Sequence, residues 1–348
     1  MILTYKIRHG RDFSVELGKA RQVAQYAIDH RTISSKDVKQ FGLKSVISNQ
    51  VLRKYSRNRN ARKVNRVKLT VPAQGIRFNR KERTISTPSL RFDVNYLFRN
   101  DFEKINQIEF DRNFAYISVT VPENVMIKPI AYLGIDRNTT GHIAVVSNPI
   151  TGKILKLGKQ AEHVHKKYRN MRKILQKNGK HRKVKRTKRR ESRIEKDINH
   201  KVSKRIVQEA KHTGTGIKLE YLKGIRKAKS GRNFRYSLNS WSFYQLEQMI
   251  EYKARLLGIP VVYVDPHNTS RECSRCGLIG NRSGKSFKCW CGHVDHADAN
   301  ASFNIALRPV FEEGTDRLHA DRDACKGNTD IPKEATLRTI ATLEPPML

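Results

Sequence analysis

Residues 127–158 read IKPIAYLGIDRNTTGHIAVVSNPITGKILKLG. An apolar run ends at Asp136, a polar turn follows, and HIAVVS and KILKLG supply two further runs of strand-forming residues. The stretch predicts a three-strand meander with an aspartate on its first strand. Outward from it, residues 216–222 (GIKLEYL) predict a buried strand carrying Glu220. Residues 241–258 predict an amphipathic helix, capped by Ser240 or Ser242 and ended by Gly258, and residues 259–266 (IPVVYVDP) another strand. Asp298 opens DANASFNIALR, where Ala299, Phe303, Ile305 and Ala306 predict a packed helix.

The resulting order is strand–strand–strand–helix–strand–helix–strand, a mixed α/β layer of the kind found in nucleases of the ribonuclease H type. An acid inside a hydrophobic strand is costly to bury unless it is paired or metal-bound. For any one of these acids, exposure at a strand edge would be enough, or an N-cap role in the case of Asp298. Three of them, each in a suitable element, point further. Brought together, Asp136, Glu220 and Asp298 would form an oxygen-rich site for two Mg²⁺ ions. Such a pair activates water and stabilises the leaving oxygen in phosphodiester cleavage.

Four of the five cysteines are clustered: Cys273 and Cys276 two residues apart, then Cys289 and Cys291 one residue apart. Gly277 and Gly292 follow the two pairs, where the backbone must turn. Tetrahedral thiolate ligation of Zn²⁺ accounts for this pattern, and a zinc ribbon is expected. The second pair is unusually tight around Trp290, which leaves open whether Cys289 or His293 completes the set. Cys325 stands alone in a polar C-terminal segment and is expected to be inert.

The charge narrows the partners. Seventy Lys and Arg oppose 32 Asp and Glu, a formal net charge of +38. A chain so basic repels itself unless a polyanion is present, and nucleic acid is the natural one. No long apolar run, basic amphipathic helix with an aromatic face, or signal-peptide core is evident, so a membrane role is not expected. Residues 166–205 hold 19 Lys or Arg and three acids around an apolar stripe that includes Ile194, Ile198 and Val202. They predict a helical hairpin packed on one side and facing phosphates on the other. Residues 1–15 read as a strand and 16–55 as two or three short helices. Residues 67–121 read as a β-barrel or sandwich rich in Gly, Pro and Asn punctuation.

LGIDRNTTGHIAV, GIKLEYLKGI, WSFYQLEQMIEYKARLLGIPVVYVDPHNTSRECSRCG and HADANASFNI together resemble TnpB, the OrfB-type protein of insertion sequences. That family is similar to the small type V CRISPR effectors. The resemblance covers about residues 130–307. It implies a RuvC-like nuclease domain at 130–269 and 293–310 with Asp136, Glu220 and Asp298 as its three Mg²⁺-binding acids. It also implies a zinc ribbon at 270–292, a β-barrel wedge domain at 1–15 and 67–125, and a helical recognition lobe at 16–66. Residues 311–348 are expected to be a disordered tail. The implied activity is RNA-guided cleavage of double-stranded DNA beside a short target-adjacent motif, with a guide RNA from the end of the transposable element. The setting implied is a prokaryotic cytoplasm. Two features depart from the family: His296 replaces the first acid of its last motif, with Asp295 as the other candidate for the third acid, and the second cysteine pair is shortened. The alternatives are a nuclease-silent RNA-guided repressor, a DNA transposition accessory protein, and a zinc-ribbon RNA-binding protein without chemistry. The last leaves the acids in strands unexplained.

Overall fold

The computed structural model describes residues 1–58, 60–95, 98, 101–222 and 243–310. The expected cap at Ser240 or Ser242, the loop at 231–240, Cys325 and the tail at 311–348 lie outside the described residues. The chain divides into two compact units, and the boundary among the described residues falls between Pro122 and Glu123.

The first unit contains β1 (Ile2–Arg8), α1 (Ser14–His30), a 3-10 turn at Ser35–Phe41 and α2 (Ser45–Ser56). β2 (Leu69–Pro72), β3 (Arg77–Asn79), β4 (Thr84–Thr87), β5 (Phe92–Asn95), β6 (Lys104–Phe110) and β7 (Phe114–Thr120) follow. β1 pairs antiparallel with β7 from Ile2↔Thr120 to Arg8↔Phe114, so the first and last strands of the unit are neighbours. The full order is β1-β7-β6-β2, with a separate sheet β3-β4-β5. The sequence pattern led to the expectation of a barrel or sandwich; the described strands form these two sheets. The edge strand β2 is four residues long and ends at Pro72, which has no N–H to extend a ladder. Phe13, Phe92 and Phe110 pack edge to face beneath the larger sheet, and His9 joins them.

The second unit is built on β8 (Tyr132–Arg137), β9 (Ala144–Ser147), β10 (Ile154–Leu157), β11 (Gly216–Glu220) and β12 (Val261–Val264). Their order is β10-β9-β8-β11-β12. β10, β9 and β8 run antiparallel as the expected meander, while β8, β11 and β12 are mutually parallel. Two helices, α3 (Gln160–Lys177) and α4 (His181–Thr213), connect β10 to β11. α5 (Phe243–Leu256) precedes β12.

Strand alternation divides the sheet's two faces. Leu133, Ile135, Ala144, Val146, Ile217 and Leu219 point into one core with Ile198, Val202 and Ile206 of α4 and Leu246 and Ile250 of α5. Gly134, Asp136, Lys218 and Glu220 therefore point to the opposite face. There lies α6 (Ala297–Leu307). A Cβ on Gly134 would meet Ser302 O at 2.0 Å and Ala306 N at 2.4 Å, so glycine is what lets α6 lie directly on β8. Lys218 Nζ donates to Ala306 O at 3.0 Å and Arg308 O at 2.6 Å, anchoring the C-terminal end of α6 to the central strand.

A small antiparallel sheet of β13 (Asn281–Ser283), β14 (Ser286–Lys288) and β15 (Val294–His296) lies between β12 and α6. The ribbon was expected to end at 292, two residues before β15 begins. Val294–His296 pairs with β14, because the turn at Cys289–Gly292 returns the chain alongside it. In α4, the apolar stripe ends near Ile194. The preceding turns carry exposed Arg182, Lys183, Lys185, Arg186, Lys188, Arg189 and Arg190.

Candidate active site

Asp136 and Glu220 sit at the C-terminal ends of adjacent parallel strands, one residue beyond the Ile135↔Leu219 pair. They share the face covered by α6. Asp298 is in the first turn of α6, and its neighbours Ala297 and Ala299 are buried. All three acids are buried, at 9%, 8% and 1% exposure in chain order.

Each is held by specific donors. Asn138 Nδ2 donates to Asp136 Oδ2 at 2.8 Å, and Thr269 Oγ1 to Glu220 Oε1 at 2.5 Å. Among the described residues, the other oxygen of each carboxylate carries no hydrogen bond. Burial, and next the neighbouring Glu220 charge, pushes the Asp136 carboxyl up to about 7, against the Asn138 hydrogen bond. Burial also raises Glu220, opposed by the Thr269 hydrogen bond and the Arg137 charge. Arg137 donates to the Glu220 carbonyl oxygen at 2.6 Å and pairs with Glu247, so its side chain ties the ends of β8 and β11 together.

Asp298 does not serve as an N-cap. His296 holds that position, and no side chain caps the helix. Instead Arg282 Nη2 lies 3.1 Å from Asp298 Oδ1 and Lys285 Nζ 2.5 Å from Oδ2. Asp295 is on β15, where its carboxylate accepts from His296 N at 2.6 Å and faces His293 Nε2 at 3.9 Å. The Asp298 charge acts on Asp136.

The donor chemistry suits hard divalent ions. Oxygen ligands alone are presented, burial disfavours the charged forms of Asp136 and Glu220, and two cations already stand at Asp298. The three acids are more widely spaced than the clusters whose donor atoms all fall within 4.8 Å of one another, which among the described residues are the four cysteines and His165, Glu191 and Glu195. In the second cluster, Glu191 is already paired with Arg172 and His165.

The four cysteine sulfurs are brought within reach of one another. Cys273 Sγ lies 3.7 Å from Cys291 Sγ, and Cys276 Sγ 3.5 Å from Cys289 Sγ. A tetrahedral site with bonds of about 2.3 Å puts sulfurs roughly 3.8 Å apart, so the spacing of the four sulfurs, that of Cys289 included, fits a Zn²⁺ ion. Buried His293 lies outside the four, its Nδ1 3.3 Å from Cys273 Sγ.

The knuckle is fastened to α6. Asn300 Oδ1 accepts from Ser274 N at 2.8 Å, and Asn300 Nδ2 donates to Glu272 O at 2.6 Å. Asn304 Nδ2 donates to Thr269 O and Glu272 O at 2.8 and 2.7 Å. This explains why a cysteine cluster leads straight into an acid on a helix: the same short segment builds both. Sequence reasoning missed Arg137, Thr269, Arg282 and Lys285. Arg137 directly follows Asp136 and could have been flagged. In a chain with 70 Lys and Arg, nothing distinguishes Arg282 or Lys285.

No helix among the described residues is long and apolar enough to cross a membrane. Residues 243–305 match the family model described as Cas12f1-like, TNB domain. The chain is 46% identical over 114 residues to the CRISPR-associated endodeoxyribonuclease Cas12f1 of Sulfoacidibacillus thermotolerans, covering 31% of this chain and 26% of that protein. It is 41% identical over 120 residues to the TnpB-like protein MJ0751 of Methanocaldococcus jannaschii, covering 33% of this chain and 43% of that one. The matched region thus spans less than half of either relative. A cryo-EM structure of a Cas12f1-sgRNA-target DNA complex shares the fold, with a TM-score of 0.58 at 14% identity over 86% of this chain and 82% of that one. Residues 243–305 thus match a Cas12f1-like domain, stretches of 114 and 120 residues are similar in sequence to a Cas12f1 and a TnpB-like protein, and the fold is similar to that of a Cas12f1 over 86% of the chain.

Proposed function

We propose that the protein is an RNA-guided DNA endonuclease of a transposable element, cutting guide-matched double-stranded DNA beside a short target-adjacent motif. The observation that carries this reading is that Asp136 and Glu220 share one face of the β10-β9-β8-β11-β12 sheet and Asp298 lies on the helix that covers that face. The relatives support it: one is named an endodeoxyribonuclease, and the fold neighbour was solved with a guide RNA and target DNA.

Asp136, Glu220 and Asp298 would hold two Mg²⁺ ions, which supply a polarised water and stabilise charge on the leaving oxygen. The chain's own contribution is to fix the donors. Asn138 and Thr269 each orient one carboxylate oxygen and leave the other for an ion. Gly134 and Lys218 set the depth and end of α6, and so the position of Asp298. Cys273, Cys276, Cys289 and Cys291 would hold a structural Zn²⁺. The exposed cations of α4 would bind the guide–target backbone by its phosphates, leaving sequence to base pairing. The β-rich and helical parts of residues 1–122 would serve as the wedge and recognition portions.

The test is direct. Protein expressed with its native flanking DNA is purified, its bound RNA sequenced, and the complex given a plasmid library with the matching target beside randomised bases, with and without Mg²⁺. Mg²⁺-dependent cutting beside an enriched short motif is expected. RNA-guided binding without cutting under any divalent metal would replace this reading with the silent repressor.

A further inference from the structure

Asp298 is the most deeply buried of the three acids, yet both of its oxygens are already taken. The two cations that take them come from one hairpin: Arg282 lies in β13, and Lys285 stands in the turn before β14. Lys285 also donates to Thr140 O at 3.4 Å, and its own carbonyl accepts from Ala297 N at 2.9 Å. The hairpin therefore rests on both the β8–β9 connection and the start of α6.

The partners differ in freedom. The Arg282 and Lys285 side chains keep 28% and 40% exposure, against 1% for Asp298. Gly284, at the tip between them, has φ +59° and open space around it. Asp298 belongs to a helix pinned by the close approach at Gly134 and by Lys218. If the contact opens, the hairpin side moves.

We infer that the β13–β14 hairpin is a cationic plug: Arg282 and Lys285 occupy the oxygens of Asp298, and a divalent ion binds there only as they let go. This rests on the reading of Asp298 as a metal ligand. Two monovalent cations carry the charge of one divalent ion, so the exchange leaves the net charge of the site unchanged. A bare Asp298, buried and unpaired, is the costly state that both arrangements avoid. Guanidinium and ammonium groups bind phosphate as they bind carboxylate, so a nucleic-acid backbone is the natural acceptor for the released pair. Metal loading at Asp298 is thereby linked to the arrival of the strand, and the ion must tighten the strand to the same degree.

Mn²⁺ binding to zinc-loaded full-length protein, followed by the paramagnetic signal of the free ion, tests this without any cleavage. The R282Q/K285M variant is expected to bind Mn²⁺ at the Asp298 site about tenfold more tightly than wild type, the scale of removing a competing ion pair. K285M alone should give part of that gain, and K285R none. A non-cleavable phosphorothioate single strand should tighten Mn²⁺ in the wild type and have a smaller effect in the double variant. Unchanged or weaker Mn²⁺ affinity in both K285M and the double variant would overturn the plug, provided D298N still loses the site. D298N that binds Mn²⁺ as the wild type does would overturn the metal-ligand reading itself.

Discussion

A carboxyl group pushed up to about 7 by burial changes its charge near neutral pH, and Asp136 is such a group. In the unfolded chain it would titrate near 3.9. Between those values the folded protein holds a proton that the unfolded chain has released. Stability therefore falls as pH rises from about 4 to about 7, and the loss persists above that range. Asp136→Asn removes the penalty. In Mg²⁺-free buffer at pH 8 it is expected to melt several degrees above wild type, on the order of 1–3 kcal/mol, with little difference at pH 4, while cleavage is abolished. Thermal melts at the two pH values check this; a variant melting below wild type at pH 8 would contradict the burial penalty. Asp136 and Glu220 were legible in the sequence because an acid ending an apolar strand breaks the pattern. Asp298 was harder to separate from Asp295, since both lie in HVDHAD and only the strand-to-helix boundary after His296 distinguishes them. The partners of Asp298 were not legible, because they reach it through hairpin pairing that no local pattern encodes.

At the scale of elements, α6 is the part on which the site depends. Gly134→Ala would drive a methyl group into the backbone of α6 at Ser302 and Ala306. The expected loss is about 3 kcal/mol of stability, and a displaced Asp298 with it. Denaturant melts and Mn²⁺ stoichiometry measure the two effects separately. Cys276→Ser is expected to lower bound zinc from one ion per chain and to unfold the β13–β15 sheet, leaving the larger sheet of the second unit intact; metal analysis beside circular dichroism reads both. The meander, the Glu220 strand, the helical hairpin and the cysteine cluster all announced themselves by period or spacing. How the strands of the first unit pair was not legible, because the pairing joins partners far apart in sequence, as β1 and β7 are. β15, which begins beyond the expected end of the ribbon, was not legible for the same kind of reason: it is three residues long and is defined by its partner alone.

Across the whole molecule, the dominant quantity is the net charge of +38. α4 is 33 residues long, so it spans roughly 50 Å; its later turns are buried against the sheet and its earlier turns present cations to solvent. Affinity for RNA is therefore expected to fall steeply between about 50 and 200 mM salt, by two orders of magnitude or more, and a flat response in a filter-binding titration would contradict the role given to these residues. Neutralising Arg186, Arg189 and Arg190 together should reduce the salt slope while leaving melting nearly unchanged, since all three side chains are exposed. The charge was fully legible in the sequence. Where it concentrates was legible in α4, whose apolar stripe separates a packed part from a free one.

Asn300 and Asn304 hold the backbone of the first cysteine knuckle against the helix that carries Asp298. On the proposed function, with Zn²⁺ held by the four cysteines, a trace nutrient would thereby become an input to catalysis. In a cell short of zinc, newly made chains would still fold their larger sheet and grip nucleic acid, but the third acid would have no fixed place. Such a population would occupy targets without breaking them. The supply of one metal would decide whether the element carries a blade or only a handle.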